Sequence, residues 1–215
     1  MGSEMCIRDR TLKELCRNKV FWLLMLMMLG AGAAENTVSQ WASAFAEEGL
    51  GVTKTVGDLA GPMAFAALMG TARLIYGKWG HKLHLEKCML GSSLLCVAAY
   101  LAIALVPNPF LSLVGCAVCG FSVGILWPGT FSKGAAAIPK GGTVMFALFA
   151  LAGDLGCSAG PTLAGMVTRV CDGNMRRGIL AGIVFPLLLV LCLVFGKKRK
   201  AASGNARADT NRFHG

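Results

Sequence analysis

Residues 178–195 read GILAGIVFPLLLVLCLVF and contain no charged side chain. As an α-helix, a run of this length extends about 27 Å at 1.5 Å per residue, close to the hydrocarbon thickness of a bilayer. A helix satisfies its backbone N–H and C=O groups internally, so it is stable in lipid. The run therefore predicts a transmembrane helix, and it decides the class of the whole chain.

Five further apolar runs precede this one. Hydrophobic residues make up 55% of the chain and charged residues 15%, whereas soluble domains have about 25% charged residues. We therefore predict an all-α membrane protein whose six transmembrane helices lie within residues 20–195. The predicted spans cover residues 20–41, 59–76, 88–106, 110–131, 143–168 and 178–195. Residues 1–19 form a cytoplasmic segment, and we expect the basic tail 196–215 to be disordered.

Basic residues are concentrated on alternate connections between the spans. The chain carries 21 lysines and arginines and a formal net charge of +10. With the amino end in the cytoplasm, 17 of them lie inside and four, Lys54, Arg169, Arg176 and Arg177, lie outside. This bias predicts a multi-pass protein of the inner cell membrane with both termini cytoplasmic. Basic flanks of this kind contact anionic lipid, so the charge does not indicate binding of nucleic acid.

The first ten residues, MGSEMCIRDR, are typical neither of a signal peptide nor of a helix start. They resemble translated sequencing-adapter sequence, which occurs at the ends of some metagenomic gene models. We therefore expect the native chain to begin further upstream and this sequence to be part of a longer protein.

Two carboxylates fall within predicted spans, where an ionisable side chain costs about 3 kcal/mol and therefore indicates a function. Glu35 lies in the outer half of the first span, and Asp154 lies near the middle of the fifth. Asn36 and Gln40 lie four residues apart on one helix face directly after Glu35, and Trp41 comes next. We predict that this polar face lines a substrate cavity and that Glu35 and Asp154 serve in coupling or gating. The alternative is that these side chains bond neighbouring helices.

Trp127, in the fourth span, is a further candidate for lining the cavity, although tryptophan is also enriched at membrane interfaces. Cys116 and Cys119 have C-x-x-C spacing, but neither a second pair nor a nearby histidine completes a metal site. We expect no metal and no cofactor.

Residues 70–82 read GTARLIYGKWGHK, a glycine-rich and basic stretch on the predicted cytoplasmic side. We expect a loop here, between the second and third spans, and predict that it contributes to gating. Its candidate gating residues are Gly70, Arg73, Lys78, Gly80 and Lys82. The alternative is that its charges only anchor the loop at the membrane surface.

This loop resembles the basic loop between the second and third helices of each half of major facilitator superfamily transporters. Gly80, Lys78 and Lys82 match its glycine and basic positions, and Gly77 replaces its usual acid. The segments GILWPGTFS (124–132) and ALAGDLGCSAGP (150–161) resemble helices ten and eleven of the sugar-permease-like members, the fucose-permease-like branch in particular. Residues 11–200 are thus similar to the carboxy-terminal half of such a transporter.

The resemblance implies a three-plus-three inverted repeat, and the sequence GDL at both 57–59 and 153–155 fits that division. It also implies alternating access around a site between two six-helix halves, with frequent proton coupling through membrane carboxylates.

We therefore predict half of a secondary active transporter that moves a small polar solute, with sugar suggested by the resemblance. Its partners are the solute, a coupling ion (H⁺ or Na⁺), the lipid bilayer and a missing amino-terminal six-helix half. We do not expect an enzyme, because the sequence contains neither a clustered nucleophile nor an H-E-x-x-H metal motif. The alternative is a non-transporting membrane scaffold or sensor, which would need an output domain or a partner motif.

Overall fold

The computed structural model describes residues 12–50, 53–80, 82 and 84–197, and every element in these ranges is helical. The elements are α1 (Leu12–Arg17), α2 (Lys19–Leu50), α3 (Lys54–Trp79), α4 (Leu85–Leu105), α5 (Pro109–Val123), α6 (Leu126–Ala137), α7 (Gly142–Val170) and α8 (Met175–Gly182). A last helix, α9, covers residues 184–197. The all-α prediction is confirmed. The first ten residues and the predicted disordered tail beyond Lys197 lie outside the described residues.

Six stretches are long and apolar enough to cross a bilayer. They are Lys19–Ala44, Lys54–Trp79, Leu85–Leu105, Phe110–Ala137, Gly142–Val170 and Met175–Lys197. The predicted number and order of the spans are therefore confirmed. The second span is longer at both ends than predicted, because α3 begins at Lys54 and continues to Trp79.

The fourth and sixth spans are each interrupted one turn before a proline. A turn at 124–125 separates α5 from α6, and Pro128 follows within the first turn of α6. Pro128 has no N–H to donate to the carbonyl of Gly124, so the helical hydrogen bonding stops there. In the sixth span, the turn at Ile183 likewise precedes Pro186, which has no N–H to donate to the carbonyl of Gly182.

α2 is the central helix and packs against α3, α5 and α7. Its side chains Leu24, Met27 and Met28 are fully buried. Where α2 crosses α7, a Cβ atom on Gly156 would meet the carbonyl oxygen of Leu29. The two backbones therefore touch, which is the small-residue packing that membrane helices use.

Arg176 caps α4 at the end of the bundle that the charge bias assigns to the outside. Its guanidinium donates hydrogen bonds to the carbonyls of Ile103, Val106 and Pro107. Carbonyls in the last turn of a helix lack intrahelical partners, and a cation stabilises the negative end of the helix dipole. Arg176 is one of the four basic residues on the predicted outer side, and this contact gives it a structural role there.

Candidate functional site

Glu35 and Arg73 form an ion pair inside the membrane-spanning part of the bundle. Arg73 Nη2 lies 3.8 Å from Glu35 Oε2. The Glu35 side chain is 22% exposed and the Arg73 side chain 45% exposed, so the pair lies on an open face of the bundle. Among the described residues, Oε2 of Glu35 has no hydrogen-bond partner. The attraction to Arg73 is therefore the main interaction that offsets the burial of this oxygen.

The antiparallel packing of α2 and α3 brings these two side chains together. A Cβ atom on Gly61 would meet the carbonyl of Ala42, and one on Gly57 would meet Glu47. The two helices therefore run antiparallel, and each later residue of α3 faces an earlier residue of α2. In this register Arg73 lies opposite residues 30–31 of α2. Glu35 lies about one helical turn away, a distance that the long arginine side chain covers.

Asp154 begins a polar stripe on the exposed side of α7. Asp154, Ser158 and Thr162 are all exposed and follow each other at intervals of four residues. The Ser158 hydroxyl donates to the Asp154 carbonyl (3.3 Å), and the Thr162 hydroxyl donates to the Ser158 carbonyl (2.6 Å). A carboxylate and two hydroxyls on one face require water or protein opposite them rather than lipid.

Glycine contacts place the Asp154 stripe at the depth of the ion pair. A Cβ atom on Gly156 would meet Leu29, and a Cβ atom on Gly160 would meet Ala33. α2 and α7 therefore run parallel, and because a Cβ atom on Gly32 would also meet the Gly153 carbonyl, Asp154 lies level with residues 27–33 of α2. Glu35, Arg73 and Asp154 thus come from three helices and lie within about two turns of the same depth.

Asn36 occupies the contact between α2 and α7. Its Nδ2 donates a hydrogen bond of 3.2 Å to the carbonyl oxygen of Cys157. This carbonyl would normally accept from the backbone N–H at position 161, but that residue is a proline inside α7. Asn36 therefore satisfies the acceptor that Pro161 leaves free, as neighbouring helices do for proline-containing membrane helices.

Gln40 and Trp41 lie further toward the predicted outer end of α2 and line a cavity of about 500 Å³. Ser43, Glu47 and Lys54 also line this cavity. Glu35 is not part of its wall. The structure thus places Gln40 and Trp41 together, in a cavity near the carboxy-terminal end of α2 rather than beside the ion pair.

Trp127, in α6, packs on the backbone of α7. A Cβ atom on Gly153 would meet the indole ring, and Gly153 directly precedes Asp154. Within the described part of the chain, the buried indole Nε1 has no hydrogen-bond partner. Trp127 therefore lies beside the Asp154 segment of α7, with an unused donor.

The prediction of a loop over residues 70–82 is wrong for most of its length. α3 continues to Trp79, so Gly70, Arg73 and Lys78 are helical, and only Gly80 and Lys82 belong to the connection. Glycines at 70 and 77 do not stop the helix, because a glycine costs only about 1 kcal/mol relative to alanine. Arg73 is therefore a residue of the second span and not of a cytoplasmic loop.

Apart from Asn36, which lies between α2 and α7, the predicted cavity and coupling residues form three groups. Glu35 lies with Arg73 on the open face of the bundle, Gln40 and Trp41 line the outer cavity, and Trp127 adjoins the Asp154 segment. Across the part of the chain that the structure describes, no three His, Cys, Asp or Glu side chains are arranged to hold a metal.

Sequence reasoning missed the partner of Glu35 and the rest of the α7 stripe. The spacing of Asp154, Ser158 and Thr162 could have revealed the stripe, because residues at i, i+4 and i+8 share a helix face. The pairing of Arg73 had no comparable signal, since it depends on the relative position of two helices.

Comparison with known families gives one match. A sequence model described as Major Facilitator Superfamily matches residues 6–161, more than two thirds of the chain. The match includes Glu35, Arg73, Trp127 and Asp154. No curated protein and no solved structure is significantly similar to this chain.

Proposed function

The chain belongs to the Major Facilitator Superfamily, and on this premise we propose that it is the carboxy-terminal half of a secondary active transporter. Members of this family are membrane transporters rather than enzymes, and the six apolar helices make this chain a multi-pass membrane protein. The proposal adds a small polar solute, with a sugar as the favoured class, and coupling to H⁺ or Na⁺. Transport proceeds by alternating access at a site near the bilayer midplane.

The Glu35–Arg73 ion pair is the observation that supports this proposal most directly. Each charge compensates the other at a depth where an isolated charge is costly. If Glu35 takes up a proton, the attraction to Arg73 is lost and the guanidinium is released to another acceptor. Both side chains are partly exposed, but the paired oxygen Oε2 of Glu35 is buried, so the guanidinium must move before an ion reaches this oxygen. The pair therefore has the properties of a coupling switch.

Asp154 supplies the second carboxylate of the proposed site. It lies within about two turns of the ion pair in depth, and the hydroxyls of Ser158 and Thr162 continue its face. Carboxylates and hydroxyls exchange hydrogen bonds with the hydroxyl groups of a polyhydroxylated solute. We propose that Trp127 presents an aromatic surface near this face and that Gln40 and Trp41 bind the solute at the outer vestibule.

A second six-helix half would complete this site. The second and fifth spans are the two least buried of the six. These spans carry Arg73 and Asp154, whose charged groups require a polar or watery surface opposite them. We propose that the missing amino-terminal half covers α3 and α7 and encloses the site. The connection containing Gly80 and Lys82, with Lys78 at the end of α3, then gates the cytoplasmic side.

Membership in a family of transporters favours this function over the alternative of a non-transporting scaffold or sensor. The experiment uses inside-out and right-side-out vesicles from cells expressing the protein with its natural flanking sequence. The vesicles enclose a pH-sensitive dye, and a panel of monosaccharides, polyols and amino acids is added in turn. We expect one solute class to drive proton movement that is absent in Glu35→Gln vesicles. If no solute moves protons, the same panel is repeated with a Na⁺ gradient and radiolabelled uptake, and failure there too contradicts coupled transport.

A further inference from the structure

A groove separate from the proposed transport site opens at the lysine-rich end of the bundle. It lies between α2, α4, α6 and α9 and has a volume of about 920 Å³. Leu23, Leu90, Leu193 and Val194 form its apolar wall. Leu23 precedes Glu35 by 12 residues, or about 18 Å along the axis of α2, so the groove does not reach the ion pair.

Basic side chains surround the mouth of this groove. Lys87, Lys133, Lys197 and His84 all line it, and Glu86 is the acidic residue among the lining side chains. Even with His84 neutral, three ammonium groups face one carboxylate. The groove is thus apolar along its wall and cationic at its mouth.

Lys133 is the most enclosed of these cations, with only 15% of its side chain exposed. Its Nζ donates a hydrogen bond of 3.3 Å to Glu86 Oε1. An ammonium group has three N–H donors, so this bond leaves donor capacity for an anion. A Cβ atom on Gly196 would lie 4.0 Å from Nζ and 3.3 Å from Leu23 Cδ2, so the ammonium adjoins the apolar wall.

The amino end of α4 contributes to the same mouth. His84, Leu85 and Glu86 all line the groove, and the N-cap residue His84 makes no side-chain capping hydrogen bond. The first backbone N–H groups of a helix have no intrahelical acceptor, and the dipole makes this end positive. Together with the enclosed lysine, these groups favour a phosphate group.

We propose that this groove binds an anionic phospholipid of the cytoplasmic leaflet. The phosphate lies between Lys133, Lys87 and the amino end of α4, and one acyl chain follows the wall formed by Leu23 and Leu193. A charged mouth that continues into an apolar trough complements an amphiphile with a phosphate head. Basic pockets between transmembrane helices on the cytoplasmic side bind anionic headgroups in this way. The inference does not depend on the transported solute.

The test measures lipid retained by the purified full-length chain, using native mass spectrometry in a mild detergent. Phosphatidylglycerol is titrated against phosphatidylcholine of the same acyl chains. We expect one phosphatidylglycerol to bind per chain under conditions that strip phosphatidylcholine. Lys133→Gln should weaken this binding about five-fold, the effect of about one lysine near a lipid phosphate. Lys140→Gln, at the same end but outside the groove, is the matched control and should leave binding unchanged.

Glu86→Gln distinguishes a lipid site from a purely structural ion pair. If Lys133 serves only to pair with Glu86, then Lys133→Gln and Glu86→Gln should have the same effect on lipid retention. In a lipid site, Glu86→Gln removes a competing anion and should tighten phosphatidylglycerol binding. The proposal is overturned if Lys133→Gln, Glu86→Gln, Lys140→Gln and the unmodified chain all retain the same amount of phosphatidylglycerol.

Gly196→Leu keeps every charge and places a side chain between Leu23 and Lys133. We expect it to weaken phosphatidylglycerol binding by blocking the acyl chain, and Lys87→Gln supplies a second charge variant at an exposed position if Lys133→Gln does not fold. Competition with soluble glycerol phosphate tests the source of the phosphate. Displacement of the lipid at low millimolar concentration would identify a soluble phosphate site and overturn the lipid assignment.

Discussion

Glu35 and Arg73 are each unfavourable alone in a membrane and acceptable together. Translocon scales assign an isolated charged residue about 3 kcal/mol at the centre of a membrane helix. Their separation of 3.8 Å gives electrostatic compensation without a close hydrogen bond. A pair held in this way can separate when one partner changes its charge, which a tightly hydrogen-bonded pair resists.

We predict that Glu35→Gln or Asp154→Asn abolishes proton-driven solute accumulation and leaves expression intact. A carboxyl group can gain or lose a proton as its surroundings change, whereas an amide cannot. Uptake is measured in vesicles with and without a pH gradient, and accumulation in either variant should fall to passive equilibrium. Asp172→Asn is the matched control, because Asp172 lies in a turn outside the spans with φ of 56°, which asparagine also adopts. Normal uphill transport in both variants would leave the two carboxylates with a structural role.

At the scale of helices, α7 depends on α2 to satisfy its backbone. Pro161 leaves the Cys157 carbonyl without its helical donor, and Asn36 replaces that donor from 121 residues away. The bond thus links α2 to the proline-containing turn of α7.

This link predicts a specific non-additivity. Asn36→Leu should lower stability by about 1 kcal/mol, because it leaves the Cys157 carbonyl without a donor. In a Pro161→Ala background the same change should cost much less, since the backbone N–H at position 161 can then donate to that carbonyl. Thermal unfolding in detergent is measured for the unmodified chain, Asn36→Leu, Pro161→Ala and the double variant. The difference between the two effects of Asn36→Leu is the coupling free energy. Pro62→Ala is the control background, because it changes a proline of α3 instead, and rescue of Asn36→Leu there would contradict the explanation.

The contact between α2 and α7 also predicts opposite effects for two glycines of one helix. Gly156→Ala places a methyl group against the Leu29 carbonyl and should destabilise the protein by about 1–3 kcal/mol. Gly165→Ala meets nothing within 4 Å and should stabilise α7 by up to about 1 kcal/mol through helix propensity. Both are read from unfolding midpoints of the purified chain. Equal effects at the two positions would mean that the two backbones do not touch.

At the scale of the whole molecule, the distribution of charge predicts the orientation in the membrane. With Arg73 assigned to the membrane, 16 of the other 20 basic residues lie on one side, so a reporter fused after Lys200 should lie in the cytoplasm. A reporter near Gly49 and one at Asp172 should lie outside. Paired phosphatase and fluorescent-protein fusions measure each position. The reverse pattern would reassign every connection and move the lysine-lined groove to the other leaflet.

The open polar faces predict that residues 1–215 do not transport by themselves. Arg73 and the Asp154 stripe would face lipid in an isolated chain, which costs roughly a few kcal/mol per uncompensated polar group. The purified chain is reconstituted in proteoliposomes with and without a co-expressed upstream half, and we expect uptake only when both are present. Saturable uptake by the 215-residue chain alone would instead favour a homodimer of six-helix units.

The six spans, the all-α class and the two membrane carboxylates were predictable from the sequence. These are local properties: about 20 consecutive apolar residues are enough to specify a membrane helix, and a carboxylate within such a run stands out at once. Family membership was predictable for the same reason, because glycine, proline and basic residues at fixed spacing are read along the chain.

The partner of each polar residue was decided only by the tertiary structure. Glu35 pairs with Arg73 because glycines let α2 and α3 pack in one particular register. Gln40 and Trp41 lie apart from Glu35 although all three belong to one helix. Helical spacing relates residues of the same helix, but the depth and rotation of one helix against another depend on packing between residues distant in sequence.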